Sequence, residues 1–408
     1  MKKHRFIILL AALSGVISLP VYGGGIIQKQ NMSADYLRTL NRQAATDYAD
    51  IAVYNPAGIM KMDIGKYLKF DLQYIDKEYS NSIPGVGQLT QDQPSVIPGF
   101  FAIHKEDKWA GYLAVALIGG GGEIDYKNGN ARSVMSISAI TNLPLSIAGS
   151  FPQRVEGDSL YYGYNIGGAY SVNDIFSLSA GVRYVTAYKE YKLSVSGGAA
   201  YGDLVVETRD EADGWSGIFG VNIAPCDRVN IGLRFETATT LDFELEARQG
   251  EDILALIGIR DGRKVREDLP GLLGMGVSWE VVEDLTFDIN YIYYLEKSAT
   301  WNTGLDGAGD SYDLGFSGEY RFNKQWMAST GYAYSDNKID NAKLFVSPEE
   351  PSLDAHTVAI GGVWSPTEAF DVTLGVVRVF YMDATDPSGI NYDKDISIVS
   401  CGIQYSFR

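Results

Sequence analysis

The chain has 408 residues and a formal net charge of −17, because 51 acidic residues outnumber 34 Lys and Arg. A protein this acidic lacks the basic surface that phosphate contacts require, so we expect no nucleic-acid partner. Its two cysteines, Cys226 and Cys401, lie far apart in the sequence, from which we predict neither a structural disulfide nor a metal site. We also expect no cofactor.

The first 23 residues predict a secretory signal peptide. Lys2, Lys3 and Arg5 precede an apolar run from Phe6 to Leu13, and the small residue Gly23 follows. The run is shorter than the roughly 20 residues that a transmembrane helix needs, which disfavours an N-terminal anchor. No later stretch approaches that length either. We therefore predict cleavage just after Gly23 and an exported mature chain.

Residues 24–65 form a separate segment that lacks strand-like alternation. The stretch from Met32 to Tyr48 is polar and partly helical, because its apolar residues recur at helical spacing. It leads into a turn in which proline holds the residue before it out of the helical region and glycine allows a positive φ. The turn consists of Asn55, Pro56, Ala57 and Gly58. By itself it indicates no more than a surface turn before the first strand.

Residues 66–408 consist of segments of about ten residues in which apolar and polar side chains alternate. In one of them, Phe176 and Leu178 lie on one face, and Ser177 and Ser179 lie on the other. Because successive side chains of a strand point to opposite faces, each segment has one apolar and one polar face. Strands that are apolar outside and polar inside are typical of a transmembrane β-barrel.

Fourteen such strands are predicted, and the connections between them are of two kinds. The strands lie near 66–76, 96–104, 109–119, 158–172, 175–196, 204–224, 229–245, 268–280, 284–301, 310–322, 325–337, 353–365, 369–382 and 394–408. Six short turns alternate with seven long loops, as in a closed antiparallel barrel with both termini on the short-turn side. The alternative, a soluble β-sandwich, would have to turn its apolar faces inward.

The last strand ends in two alternating aromatic residues, Tyr405 and Phe407, followed by Arg408. An aromatic-terminated final strand resembles the signal by which the barrel assembly machinery recognises outer-membrane barrels. We therefore expect this machinery as a partner and place the protein in the outer membrane of a Gram-negative bacterium. There we expect a monomer surrounded by outer-membrane lipid and lipopolysaccharide.

These features together resemble the FadL/TodX-like family of outer-membrane transporters for hydrophobic compounds. The resemblance covers nearly the whole chain, and its most specific part is the stretch from Ala34 to Gly58. It implies that residues 24–65 fold inside the barrel as a hatch, with Asn55 to Gly58 as a turn in the lumen. It also implies that long-chain fatty acids or aromatic hydrocarbons pass sideways through the wall at the third strand.

The second and third strands differ from the others because both of their faces are apolar. On the third strand, one of the two apolar faces is formed by Tyr112, Ala114, Ala116 and Ile118. Such a strand contacts lipid outside and something apolar inside, which is either the core of the hatch or a ligand path. The strand ends in four glycines that permit kinked or bulged geometry, Gly119, Gly120, Gly121 and Gly122. They predict a lateral opening; the alternative is a flexible lead into the next loop.

Two long loops, 134–151 and 251–260, are unexpectedly apolar, and the second predicts a short helix. Their apolar residues include Met135, Ile137, Ile140, Leu143, Leu254 and Ile257. Apolar loops are unfavourable in water unless they pack together or bind something. The resembled family implies an external groove that captures the ligand, and mutual packing is the alternative.

A fatty acid would also need a partner for its head group, and Arg183 and Arg234 on polar strand faces are the candidates. We do not expect an enzyme, because barrel lipases and proteases need a histidine beside a nucleophile or an acid. His104 and His356 instead lie at strand ends. Two other functions stay open: a general diffusion porin for small polar solutes, which a polar lumen favours, and a structural barrel or adhesin whose loops bind partners.

Overall fold

The chain forms a closed antiparallel barrel of fourteen strands, as the alternation predicts. The computed structural model describes residues 28, 30–198, 202–256, 258–301, 309–337, 349, 352–386 and 389–407. The first strand pairs with the last from Lys66↔Phe407 to Ser82↔Asn391, which closes the sheet. The predicted signal peptide lies outside the described residues and stays a prediction.

The wall consists of long strands, several of which are extended by short ones on the long-loop side. Strands β1 to β14 span Gly65–Ile83, Ser95–Lys105, Trp109–Gly119, Gln153–Ser171, Phe176–Ser196, Asp203–Cys226, Val229–Glu236, Gly271–Val282, Leu285–Leu295, Tyr312–Arg321, Trp326–Asp336, Ala355–Thr367, Phe370–Tyr381 and Asn391–Phe407. The short strands are Gly87–Gln91, Ile124–Tyr126, Asp242–Gln249, Lys264–Arg266 and Ala384–Thr385.

The two faces of the strands are used as the sequence predicts. On β1, Lys69, Asp71 and Gln73 are buried in the lumen, whereas Leu68 and Phe70 are exposed on the outside. The other strands add exposed aliphatic and aromatic residues to this outer belt. A β-sandwich would bury the apolar face, so that alternative is wrong. A closed barrel with an apolar exterior is the architecture of a bacterial outer-membrane protein.

Inside the barrel, the segment before β1 folds into short helices. Their bounds are Ala34–Thr39 (α1) and, for two 3₁₀ helices, Ala49–Val53 and Pro56–Lys61. Ser33 caps the N-terminus of helix α1, because its Oγ accepts a hydrogen bond from the Tyr36 amide. It ends at Leu40, which has a left-handed conformation with φ 58°. The polar stretch that was predicted to be partly helical is therefore α-helical over a turn and a half only.

The Asn-Pro-Ala-Gly sequence forms the start of the second 3₁₀ helix, with Pro56 at its first position, where no amide donor is needed. Gly58 does not have the positive φ that we predicted. A Cβ on Gly58 would instead lie 2.5 Å from the Ala45 carbonyl oxygen. The prediction that Gly58 is needed for a positive φ is therefore wrong. Gly58 instead permits close packing between two parts of the hatch.

The described parts of the long loops contain three further α-helices. Helices α2, α3 and α4 span Ala131–Thr141, Leu145–Ala148 and Glu251–Leu256, and a 3₁₀ helix spans Glu296–Ser298. Helix α4 confirms the helix predicted within 251–260. Among the described residues, no helix is both long and apolar enough to cross a membrane. Cys226 and Cys401 are exposed and not bonded to each other.

Candidate functional site

The hatch, which comprises the described residues 28 and 30–64, contains buried charges that neutralise one another. Asp35 Oδ1 lies 2.9 Å from Arg38 Nε, and Asp35 Oδ2 lies 2.8 Å from Lys69 Nζ on β1. Arg42 Nη2 lies 2.7 Å from Asp50 Oδ1. All five side chains are buried, and removal of one partner from such a pair costs about 3–5 kcal/mol. The charge pairs therefore hold the hatch in one arrangement.

Hydrogen bonds from several strands connect the hatch to the wall. The Ala34 amide donates to Asp71 Oδ2 on β1 (2.9 Å), and the Ala49 amide donates to Gln404 Oε1 on β14 (2.8 Å). Further bonds run from Ser177 Oγ on β5 to the Ala57 carbonyl (2.8 Å) and from Asn290 Nδ2 on β9 to the Leu40 carbonyl (2.9 Å). The hatch is thus anchored on strands all round the barrel.

Inward-facing glycines let the hatch backbone approach the wall closely. A Cβ on Gly232 would lie 1.8 Å from the Gln43 carbonyl oxygen, and one on Gly331 would lie 2.1 Å from the Thr39 carbonyl oxygen. A Cβ on Gly361 would lie 2.6 Å from Arg38 Cβ. Sequence analysis missed these positions. The signal in the sequence is that glycine takes inward positions on many strands.

A cavity of about 210 Å³ lies on the long-loop side of the hatch. The alkyl part of its lining comes from the hatch and from strands on both sides of the β1–β14 seam. These residues are Leu37, Leu40, Ile75, Ile97, Leu117, Val377, Val379, Ile396 and Ile398. A cavity of this volume is several times the roughly 30 Å³ that a water molecule occupies in the liquid. Its lining suits an apolar chain.

Two lysines give one wall of the cavity a positive charge. Lys394 Nζ lies 4.6 Å from the centroid of the Tyr79 ring and 5.1 Å from that of Tyr381. Lys77 Nζ lies 5.7 Å from the centroid of the same Tyr79 ring. Among the lining residues that the structure describes, the charged ones are these two lysines and Asp313. The two lysines were not predicted as head-group partners from the sequence, although Lys77 lies on the inward face of β1 together with Lys69.

The wall beside this cavity contains a gap in its hydrogen-bond ladder. Strands β2 and β3, both described over their full length, pair from Phe100↔Val115 to Lys105↔Ala110 only. Beyond that point β2 continues along β1 as far as Ser95, whereas β3 continues along β4 as far as Gly119. The two strands therefore separate on the long-loop side. We call the space between them the wall gap.

The predicted glycine segment, Gly119 to Gly122, lies at the wall gap. Gly120 and Gly122 have φ values of +89° and +69°, which strongly favour glycine. The pairing between β3 and β4 shifts register between Leu117 and Gly119, as in a bulge. Gly119 also forms a bridge with Gln28 of the hatch. The segment thus joins the wall, the hatch and the cavity.

The inward face of β3 packs on the hatch. Tyr112, Ala114, Ala116 and Ile118 are all buried, in one core cluster with the hatch residues Ile51 and Ile59. The described cavity lining contains Leu117 instead, because the bulge turns the end of β3 inward. The four residues of β3 that were predicted to bind ligand therefore pack on the hatch and do not line the cavity. Their role in ligand binding stays a proposal.

The apolar loop residues pack against the strand extensions as two clusters. Val134 and Ile137 of α2 pack with Val195 and Tyr392, and Met135 packs against this group. Leu254 of α4 belongs to a separate cluster with Val206, Leu245 and Ile259. Leu143 is half-buried, whereas the Ile140 side chain and the whole of Ile257 lie outside the described residues. Leu204 packs against both clusters, so mutual packing accounts for much of the apolar character of the loops.

The two arginines predicted to meet a head group are paired within the wall. Arg183 donates to both Glu236 carboxylate oxygens, at 2.7 and 2.8 Å, and Arg234 Nε lies 2.9 Å from Glu236 Oε1. All three side chains are buried. Neither arginine lines the cavity. Their guanidinium groups therefore have a carboxylate partner without any ligand.

A second cavity, of about 340 Å³, lies on the short-turn side of the hatch and is highly charged. Its charged lining residues are Arg42, Asp47, Glu280, Glu283, Asp284, Asp288, Glu319 and Arg321. Within the described ranges, no group of His, Cys, Asp and Glu residues is arranged to hold a metal ion. The hatch thus separates a cavity with a partly alkyl lining from a highly charged one.

Comparison with known proteins finds the same architecture in solved structures. A FadL homologue from Pseudomonas aeruginosa superposes with a TM-score of 0.69 at 14% identity, covering 94% of this chain and 100% of its own. The toluene transporter TodX from Pseudomonas putida gives 0.65 at 14% identity, with 93% and 99% coverage. The toluene transporter TbuX from Ralstonia pickettii gives 0.62 at 13% identity, with 91% and 99% coverage.

No protein-family model and no curated protein sequence matches the chain. The structural likeness nevertheless extends over almost the whole of each barrel. It includes the N-terminal helical segment inside the lumen. The resemblance expected from the sequence is therefore confirmed for the fold: the chain has the fourteen-strand barrel fold of the FadL homologue and of TodX.

Proposed function

We propose that this protein takes up hydrophobic molecules, above all long-chain fatty acids, across the outer membrane. The observation that carries the proposal is the cavity on the long-loop side, which combines an alkyl lining with two lysines and adjoins the wall gap. An alkyl chain gains roughly 0.8 kcal/mol per buried CH₂ in such a lining. Lys77 and Lys394, rather than Arg183 and Arg234, would face the carboxylate. Aromatic hydrocarbons, which the neighbours TodX and TbuX are named for, are the second candidate class.

Capture would begin at the apolar loops. Ile147 on helix α3 is 46% exposed, and Leu143 is half-buried on the same loop, so this surface offers apolar contacts to a ligand arriving from outside. In barrels of this class the long loops face the exterior. The ligand would then move from the loops into the cavity, which lies on the same side of the hatch.

Release would be lateral, through the wall gap into the membrane. The way toward the short turns is blocked by the hatch, and beyond it lies the charged cavity, which is unfavourable for an alkyl chain. The hatch residues Gln28, Gln30 and Asn31 line the cavity on the long-loop side, and Gln28 also forms a bridge with Gly119 at the gap. We assign to Gln28 and Gln30 the hatch rearrangement that would release the ligand. The turn at Asn55 is a poorer candidate, because Asn55 Nδ2 donates to the carbonyls of Gln43 and Val221.

A substitution in the glycine segment tests this route. Gly121 lines the cavity and lacks a positive φ, so Gly121→Trp fills the gap without backbone strain. Gly120 is unsuitable, because a Cβ there would lie 2.2 Å from the Ser159 carbonyl oxygen. We expect Gly121→Trp to lose most of the uptake of a radiolabelled fatty acid into cells. Unchanged uptake would remove lateral release from the proposal.

The matched control is Gly111→Trp on β3, the strand that leads into the glycine segment. Gly111 lies on the outward face of β3, and nothing lies within 4 Å of a Cβ placed there. This variant is expected to retain uptake. For both variants, the shift in gel mobility on heating confirms that the barrel has folded. If both variants lost uptake, the loss would reflect a general effect of tryptophan in this part of the wall and not closure of the gap.

A further inference from the structure

We propose that Lys77 couples the head group of the ligand to the opening of the wall. Its ammonium group ties the glycine segment across the wall gap, and an anionic head group in the cavity competes for that ammonium and releases the segment. This inference rests on the proposed function and adds a selectivity step to it. Acidic amphiphiles would open the gap, and neutral hydrocarbons of the same length would not.

The position of Lys77 is the first observation. Lys77 is buried on the inward face of β1, and its Nζ donates a hydrogen bond to the Gly121 carbonyl oxygen. A Cβ on Gly122 would lie 3.3 Å from Lys77 Nζ and 2.4 Å from Ser95 Oγ. The ammonium group and the Ser95 hydroxyl group of β2 are thus both held against the glycine segment. Both residues also line the cavity on the long-loop side.

The direction of this hydrogen bond is the second observation. Lys77 and Ser95 belong to the β1–β2 side of the wall gap, whereas the glycine segment belongs to the β3–β4 side. On its own side the segment is held by the Gly122 amide, which donates to the Ser159 carbonyl of β4 at 3.0 Å. The bond from Lys77 crosses the gap, and so does that from Gln93 Nε2 to Glu123 Oε2 (3.1 Å). The bond between Gln93 and Glu123 is exposed, whereas Lys77 is buried.

The chemistry of the competition favours a carboxylate. A carboxylate adds to the hydrogen bond a Coulomb attraction for the ammonium group, which a neutral carbonyl lacks. The Gly121 carbonyl is neutral, so a carboxylate within reach of Lys77 is the better acceptor. Ile75 and Ile97 line the cavity beside Lys77, and their alkyl surface would hold the chain that follows the head group. A methyl ester or an alkane supplies the chain but no anion.

Uptake of a fatty acid and of its methyl ester tests the inference. Wild-type protein is expected to prefer oleate to methyl oleate, and Lys77→Met to lower this preference by about tenfold, the factor expected from loss of one charged hydrogen bond. Lys77→Arg is expected to restore much of it. The control is Lys66→Met, which removes a lysine from the exposed outward face of the same strand. An unchanged preference in Lys77→Met would overturn the inference.

Hydrogen exchange provides a readout that does not depend on uptake. Amides of residues 119–123 are expected to exchange faster when oleate is added to the wild-type protein, but not with methyl oleate, and to exchange fast in Lys77→Met without ligand. Equal exchange under all conditions would overturn the inference. If the wild-type protein takes up oleate and methyl oleate equally, the proposed coupling through Lys77 is wrong, whereas the proposed transport function is kept. If it takes up neither, the proposed function itself fails.

Discussion

Single glycines on the inner face of the wall determine how closely the hatch can pack. The hatch backbone at Thr39 and Gln43 lies so near to the wall that a single methyl group at Gly331 or Gly232 would overlap with it. Overlap with backbone is costly, because the backbone cannot rotate away as the end of a side chain can. The fit between hatch and wall therefore depends on residues that have no side chain at all.

Gly232→Ala is expected to destabilise the protein by about 1–3 kcal/mol, because its Cβ would lie 1.8 Å from the Gln43 carbonyl oxygen. The midpoint of urea unfolding in lipid vesicles measures the effect. Gly111→Ala makes the same chemical change where nothing lies within 4 Å, and it should stay within about 0.5 kcal/mol of wild type. Equal midpoints for the two variants would mean that the hatch does not press against Gly232.

Alternation predicts which residues face the lumen but not what they meet there. It placed Arg183 and Arg234 inward correctly. It could not reveal that Glu236 takes both arginines, because that depends on which inward positions on β5 and β7 lie at the same height. Lys77 and Lys394 were missed for the same reason: they come together through pairing of the first and last strands, 317 positions apart in the sequence (394 − 77).

At the scale of elements, strand β3 combines a feature that the sequence predicted with one that it could not. Its apolar faces and terminal glycines indicated an unusual strand, and the structure has a bulge and two left-handed glycines there. The separation of β2 from β3 is different, because it depends on where β2 stops pairing. Pro98 lies in the part of β2 that has left β3, and proline there removes a donor that a continuous ladder would need.

The loop helix α2 has a buried side that packs against the rim of the barrel. Val134 is fully buried in the cluster with Val195 and Tyr392, so Val134→Asp places a charge where it cannot be solvated. We expect this variant to expose the loop to limited proteolysis between residues 127 and 152 and to lower fatty-acid uptake, while the barrel itself stays resistant.

Ile147→Asp is the matched control, since Ile147 is 46% exposed and its replacement leaves the buried cluster intact. It is expected to keep the resistance of the loop to protease. If its uptake also falls, the exposed surface itself takes part in capture. Resistance of both variants to protease would contradict the view that packing under α2 holds the loop in place.

For the whole molecule, the important property is the division of the lumen by the hatch. The lining of the cavity on the long-loop side combines alkyl and polar groups, whereas the cavity on the short-turn side is lined by six carboxylates and two arginines. A diffusion porin requires one continuous aqueous path, and this barrel has buried hatch residues between its two cavities. A polar inner face, which by itself favoured a porin, serves mainly to bind the hatch.

The division of the lumen predicts the electrical behaviour of the protein in a planar bilayer. Wild-type protein is expected to carry no large, stable ionic current, because ions would have to cross the buried charge pairs around Asp35 and Arg42. A variant that lacks residues 30–58 removes this barrier and should conduct as an open barrel, provided that its mobility shift on heating shows a folded wall. A large, stable current from the wild-type protein would instead favour a general diffusion porin. If neither protein carried a current, this would mean that the wall collapses without its hatch. The permeability of the wild-type protein would then be measured by the swelling of vesicles in small sugars.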